Sequence, residues 1–370
     1  MAGEHEDNLP DASTDEDDIF EGAGSVEDDD ETAVRPRMKR RGLRIAIVSL
    51  VTVALLAIAA VAGYVAFLNW RVSSNVTHAQ LMPLPDSPIR GEDSEVTPTA
   101  APERSEEAGD SLNILVVGSD SRNVDADRGR SDVMVLMHIS DDRERVDLVH
   151  FPRDYFVEIP GSNNKNKLNA AYAFGGTPLL IQTLQPLVGV PIDHVVITDF
   201  ESFKSLTDAV GGVEVNVAEG SPDFAEGTQW MDGETALKFV RERYALSQGD
   251  ISRGQRQQAF IKALMLQVLT RDTFTNPARL AEVVDAGTQN LTVDEDFAVS
   301  DMRDLGWSMR NIRGGDIHFV TAPWSGIGSD DYAGSIVIPH EDQLEVLREH
   351  LRTDTMADYV DEVSPRQGFG

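Results

Sequence analysis

Apolar positions fall into four regimes along this chain. Residues 1–34 hold few of them, spread among acidic runs such as DEDD and EDDDE, and contain neither lysine nor arginine. A basic block, RPRMKRRGLR (35–44), leads into IAIVSLVTVALLAIAAVAGYVAFL (45–68), where no residue is charged. As a helix rising about 1.5 Å per residue, that stretch is long enough to cross the hydrocarbon core of a bilayer, with Trp70 and Arg71 at its far boundary. Residues 72–110 return to Pro, Ser, Thr and Glu without apolar periodicity. From 112 onward, short apolar runs alternate with helical patterns.

The short runs read as strands: LNILVVG (112–118), DVMVLMHI (132–139), RVDLVHF (145–151), HVVIT (194–198), VEVNV (213–217) and IHFVTA (317–322). Helices fill the intervals. Thr177-Pro178 caps one that runs toward Leu187 and is ended or kinked at Pro186. Asp199 caps a helix over 200–210, stopped by Gly211-Gly212, and Asp232 caps another over 233–241. A long helix from Ser252 to about Leu269 puts Phe260, Ala263, Leu264 and Val268 on one side. Further helices open at Asn276-Pro277, at Ser300 and at His340. Strands 132–139 and 145–151 are joined by the turn-like SDDRE, so at least one pair of strands is joined tightly, while helical patterns separate others. The expectation is an α/β domain: a mixed central β-sheet flanked by helices on both faces, preceded by one transmembrane helix.

This patterning divides the chain into a disordered acidic tail with its basic block (1–44), a transmembrane helix (45–70), a linker (71–110) and one outer domain (111–370). The apolar stretch is longer, and its preceding tail longer, than in a cleaved signal peptide, so a retained single-pass anchor is expected. The basic block should hold the N-terminus in the cytoplasm and place the domain outside the cell.

Charge and composition then narrow the function. A formal net charge of −31 argues against nucleic acid as a partner, because duplex binding needs a basic footprint. The absence of cysteine removes disulfide scaffolds, thiolate metal sites and cysteine nucleophiles. There is no phosphate-binding GxxxxGK[ST] loop, no GxGxxG, no HExxH and no GxSxG. His138, in an apolar strand, reads as a packed residue.

Against the acidic background, arginines gather beside acids at strand ends. GSDSR (118–122) ends the first strand and carries Asp120 and Arg122; RGRSD (128–132) enters the second with Arg130 and Asp132; FPRD (151–154) ends the third with Arg153 and Asp154. Ligands collect at the carboxyl ends of strands in open α/β sheets. Asp120 and Asp132, if their strands are neighbours, would repel unless a cation or a proton lay between them, and magnesium suits two carboxylates plus phosphate oxygens. A fourth group lies in FVRERYALSQGDISRGQRQQAF (239–260). Arg241 and Arg243 would reach one site only if the helix ended near Arg241. Arg253, Arg256 and Gln257 share one face in the first turns of the long helix, where anions are favoured. A guanidinium fork holds two phosphate oxygens at once. The same arginines could equally serve as salt-bridge partners for the domain's many acids.

The motifs NILVVGSDSR, GRSDVMVLMHI, VHFPRDYFVEIPG, KLNAAYAFGG, DFESFKSLTDAVGGVEVNV, MDGETALKFVRER and GDISRGQRQQAFIKAL, in this order, resemble the LytR-CpsA-Psr family over 112–269. HFPRD stands where SIPRD is commoner, with the arginine in place. The resemblance implies a glycopolymer–peptidoglycan phosphotransferase. Such an enzyme moves teichoic acid, capsule or arabinogalactan from a polyprenyl-pyrophosphate carrier to peptidoglycan, at the C6 hydroxyl of N-acetylmuramic acid, as a phosphodiester. It also implies an apolar slot for the lipid tail, for which 168–174 and the surroundings of Phe260 and Leu264 are candidates. Asp120 and Asp132 match the family's Mg2+ (or Mn2+) acids. Arg130, Arg153, Arg241, Arg243 and Arg256 match its pyrophosphate-binding arginines, and Gln257 its following polar residue; Arg122 and Arg253 fall in the same motifs. Asp154 or a metal-bound aspartate could take the acceptor's proton. A pyrophosphatase using water at the same site, or a module that binds lipid-linked glycan without turnover, are the alternatives.

Overall fold

The computed structural model describes residues 40–119, 131–242, 245–247 and 250–362. Helix α1 (Arg40–Asn75) contains the uncharged stretch and is long and apolar enough to cross a membrane. Its portion up to Ala60 belongs to one compact unit, and the chain from Val61 onward to another.

Within the second unit the central sheet is laid down by β1 (Thr77–Ala79), β2 (Leu112–Ser119), β3 (Ser131–Ile139) and β4 (Val146–Phe151). After α2 (Leu168–Val188) come β5 (His194–Asp199) and α3 (Phe200–Ala209). A hairpin of β6 (Val213–Val217) and β7 (Gly227–Met231) leads to α4 (Gly233–Arg241) and α5 (Asp250–Val268). The chain continues through α6 (Pro277–Thr288), β8 (Thr292–Asp294), α7 (Val299–Ser308) and β9 (Ile317–Thr321). A second hairpin, β10 (Trp324–Asp330) and β11 (Gly334–Pro339), precedes α8 (Glu341–Arg352) and α9 (Met356–Glu362).

Seven strands form the sheet in the order β1-β8-β5-β2-β3-β4-β9. β2 is antiparallel to β3, and β3 to β4, whereas β5 runs parallel to β2 and β9 parallel to β4. The mixed sheet is therefore as expected, and its alternation decides the layers. Leu115 and Val117 of β2, with Met134, Leu136, Val149 and Phe151, pack under α2 and α8. Ile114, Val133, Val135 and Leu148 point to the other face, toward α5 and α7. A third cluster joins α3, α4 and α5 to the β6–β7 hairpin.

The predicted caps hold. Asp199 accepts from the Ser202 amide at 2.8 Å, and Asp232 from the Thr235 amide at 2.8 Å. α2 begins earlier than expected, at Leu168, but breaks at Gly176 (φ 67°), directly before the Thr177-Pro178 start read from the sequence. It then runs through Pro186 to a left-handed Gly189.

The stretch expected as a linker, 71–110, is instead part of the fold. β1 pairs in parallel with β8, Thr77 opposite Thr292. Leu81 is 2% and Ile89 7% exposed, Thr99 binds the Gln182 side-chain oxygen at 2.8 Å, and Arg104 pairs with Asp193 at 2.5 Å. Composition misled here because the anchoring apolar residues are single and widely spaced. The rest of the contact is made by polar groups, which leave no periodicity.

Candidate active site

The strand register gathers the chemistry at one end of the sheet. Ser119, the last residue of β2, lies opposite Ser131, the first of β3, and also opposite Asp199 at the end of β5. Phe151 at the end of β4 faces Met134, and Thr321 at the end of β9 faces His150. β2 and β3 are thus neighbours, as a shared Asp120–Asp132 site requires. Asp132 is the second residue of β3 and lies at this end; Asp120, Arg122 and Arg130 fall outside the described residues. Among the described residues no three acids or histidines cluster as a metal site. By residue type alone, two aspartates offer the hard oxygen donors that magnesium or manganese takes.

Arg153 lies two residues beyond β4. Its carbonyl accepts from the Asn169 amide at 3.1 Å, which seats the turn against the start of α2. Its Nε stands 3.9 Å from Asp154, whose carboxylate is 3.3 Å from Lys167 Nζ. α4 ends at Arg241, and Glu242 follows in extended backbone (φ −64°, ψ 133°). The helix therefore stops where a shared Arg241–Arg243 site needs it to. Arg241 is exposed; Arg243 lies outside the described residues.

α5 crosses above the strand ends. Gln258 donates to His150 Nδ1 at 2.5 Å and meets Thr321 Oγ1 at 3.4 Å, tying the helix to β4 and β9. Arg253 and Gln257, four residues apart, share a face of this helix. Gln257 is 6% exposed and lines a small cleft of about 20 Å³, open to solvent, with Val133, Phe203, Lys204, Leu237, Val240, Phe260 and Ile261. Of the two residues around which a lipid slot was expected, Phe260 lines this cleft, and both Phe260 and Leu264 are buried in the cluster of α3, α4 and α5. Residues 168–174 sit on α2, beneath the opposite face of the sheet. Arg256 is 4% exposed, with its guanidinium against Glu242.

Sequence reading passed over His150, Gln258 and Glu242. Glu242 had a signal, an acid set between two arginines. His150 had none, since burial alone gives it its character. That burial pushes its pKa down from 6.5 to about 4, so the ring is neutral and accepts the Gln258 amide. From pH 6.5 down to about 4 the unfolded chain takes up a proton that the folded chain refuses, so stability falls as pH falls. Between pH 7 and 4.5, urea unfolding of the wild type should lose about 2–3 kcal/mol more than that of His150→Ser. Equal losses in the two proteins would remove this assignment. His138 is packed, as read: 1% exposed, it bridges Asn113 Oδ1 at 2.8 Å and Asp354 Oδ1 at 2.9 Å.

The LytR_cpsA_psr family pattern matches residues 87–353. The cell wall biosynthesis protein LcpA of Corynebacterium glutamicum is 30% identical over 274 residues, 61% of this chain and 52% of that protein. The polyisoprenyl-teichoic acid–peptidoglycan teichoic acid transferase TagU of Enterococcus faecalis is 33% identical over 208 residues, 55% of this chain and 67% of that protein. The match thus spans about half the length of the first relative and two-thirds of the second. The LytR-Csp2A-Psr enzyme from Actinomyces oris shares the fold with a TM-score of 0.54 at 23% identity, covering 75% of this chain and 96% of that one. TagT bound to LI-WTA gives 0.52 at 23%, covering 69% and 94%. Since the pattern begins ahead of β2 and continues through α8, enclosing the whole strand-end site, the chain belongs to the LytR-CpsA-Psr family.

Proposed function

We propose that this chain is a membrane-anchored phosphotransferase. It takes a glycopolymer from a polyprenyl-pyrophosphate carrier and attaches it to peptidoglycan, at the C6 hydroxyl of N-acetylmuramic acid, through a phosphodiester. The observation that carries this reading is a single convergence. The strand ends bearing Asp132 and Arg153 lie together, and Val240, next to Arg241 on α4, shares a small cleft with Gln257 of α5 and Val133 of β3. A lipid diphosphate has these two halves, a doubly phosphorylated head and a hydrocarbon tail. The relatives named as teichoic acid transferases support the polymer class. The helix α1, with the basic block before it, supports a single-pass anchor with its N-terminus in the cytoplasm and the domain outside.

The chemistry asked of the site is attack by a neutral hydroxyl on a charged diphosphate. An oxygen–phosphorus bond forms to the polymer-side phosphorus, and the bond from that phosphorus to the bridging oxygen breaks. Lipid monophosphate leaves. Phosphoryl transfer of this kind is mostly positioning and charge stabilisation. Arg130, Arg153, Arg241 and Arg243 would hold non-bridging oxygens and the leaving phosphate, with Arg122, Arg253 and Gln257 beside them. Asp120 and Asp132 would hold a magnesium or manganese ion, which when bound would neutralise the diphosphate. Asp154, adjoining Arg153, or an aspartate of the metal pair would receive the hydroxyl proton. The small cleft around Phe203, Leu237 and Phe260 would have to widen to receive the start of the tail.

The test uses the detergent-solubilised full chain with lipid-linked polymer, with and without a peptidoglycan glycan acceptor. Acceptor-dependent formation of a polymer–glycan phosphodiester is expected, and it should fall by about 10²-fold or more in Asp132→Asn. Diphosphate hydrolysis that ignores the acceptor would make the protein a pyrophosphatase. Binding without turnover would make it a carrier module.

A further inference from the structure

We propose that Arg256 is a positioning residue: paired with Glu242, it fixes the arginine-bearing end of α4 and does not itself take a substrate oxygen. This rests on the reading of the site as a diphosphate binder and departs from the role its motif suggests.

Both terminal nitrogens of the guanidinium are held by the protein, whereas the buried Nε has no hydrogen-bond partner. One terminal nitrogen pairs with the Glu242 carboxylate, and the other donates to the Glu219 carbonyl at 3.0 Å. Its Cζ sits 4.6 Å from the centre of the Phe239 ring and 5.4 Å from that of Phe224, both buried. A cation over two aromatic faces in a nearly solvent-free setting is held by packing and charge together. Reaching a ligand with the nitrogen that holds Glu242 would leave that carboxylate, 16% exposed, without its ion-pair partner inside this setting.

The network around the pair closes on itself. The Ser221 hydroxyl donates to the Glu242 carboxylate at 2.8 Å, and the Ser252 hydroxyl to Glu219 at 2.5 Å. That Ser252 bond, with the Ser247 amide, keeps the Glu219 carboxyl below its ordinary range. Ser252 and Arg256, one turn apart on α5, therefore both grip the segment that follows β6, and Arg256 grips the residue that ends α4. None of these bonds involves a group assigned to substrate.

Glu242 is the residue directly after Arg241. Arg241 is the last residue of α4 and is exposed, and holding the Glu242 carboxylate on Arg256 fixes the point at which the chain leaves that last turn. The pair acts as the splint between α4 and α5 on which the orientation of the phosphate-holding arginine depends.

Two roles for Arg256 predict opposite signs. If it were a substrate ligand restrained by Glu242, removing the Glu242 charge would free it, and diphosphate would bind more tightly. If it is a splint, Glu242→Gln leaves diphosphate affinity unchanged or weaker and lowers turnover. The probes are geranyl diphosphate for binding, by calorimetry, and acceptor-dependent polymer transfer for turnover, both with the full chain. Glu242→Gln and Arg256→Lys are each expected to lower kcat by about tenfold or more with KM within about threefold, and the double variant to be no worse than the poorer single. Ser221→Ala, which removes one support of Glu242 without touching the ion pair, should show the same split in smaller measure if either charge variant fails to fold. Tighter geranyl diphosphate binding by Glu242→Gln, additive losses in the double variant, or unchanged kcat in Ser221→Ala and the folded variants would overturn the inference. A wild-type chain that neither binds the diphosphate nor transfers polymer would defeat the proposed activity, and this inference with it.

Discussion

Replacing Arg153 with alanine is expected to cut polymer transfer by about 10³-fold, at a melting temperature within a few degrees of the wild type. The reasoning starts from where the residue lies. Phe151, fully buried, and the β4 register fix the strand end, and the turn after it is seated by the Asn169 amide. The Arg153 side chain is 18% exposed and belongs to no apolar cluster, so shortening it opens no core cavity. Its loss falls instead on charge that builds up as the diphosphate bridge breaks, where one preorganised guanidinium is worth the most. Arg153→Lys keeps the charge but loses the planar fork, and should fall between alanine and wild type. Initial rates of acceptor-dependent transfer, with thermal melts by circular dichroism on the same samples, check this. Full activity in the alanine variant would take Arg153 out of the site.

How far the sequence carried this reading depends on what kind of signal each part leaves. β2, β3 and β4 were legible because their apolar runs are dense and both faces are buried, as Ile114 and Leu115 show by packing on opposite sides. The caps at Asp199 and Asp232 were legible because capping chemistry is local. β1, β7, β8 and the β10–β11 hairpin were not. β8 is three residues long, and β10 is interrupted by Gly326 and Gly328, so neither has a periodicity to detect. In the site, the arginines announced themselves by being scarce partners in an acidic chain. Their division of labour did not. Arg253 and Arg256 are indistinguishable as letters on one helix face, and only burial against Phe224 and Phe239 separates the second as structural. His150 and Gln258 are likewise ordinary until the fold brings β4 under α5.

The segment between the anchor and β2 carries the other large expectation. A soluble chain beginning at Arg71 should fold cooperatively, whereas one beginning at Ser111 should melt roughly 10 °C or more lower, or fail to accumulate as a folded species. What the shorter chain loses is specific. Val293, fully buried at β8, becomes part of a sheet edge without β1, an unpaired edge that invites aggregation. Leu81 and Ile89 leave the cluster formed by α2 and its neighbours, each such side chain being worth about 1.5–3 kcal/mol when buried. Gln182, 4% exposed, loses its contacts to Thr99, and Asp193 loses Arg104. A buried polar group left without its partner costs about 1–3 kcal/mol, so these losses add to the apolar ones. Because β8 pairs with β5, and β5 with β2, the damage begins two strands away from Ser119 and the strand ends of the site. Transfer activity should therefore fall with the folded fraction and not ahead of it. Thermal melts and solubility of the two truncated chains, side by side, decide the matter: equal melting temperatures would restore 71–110 to the status of a tether.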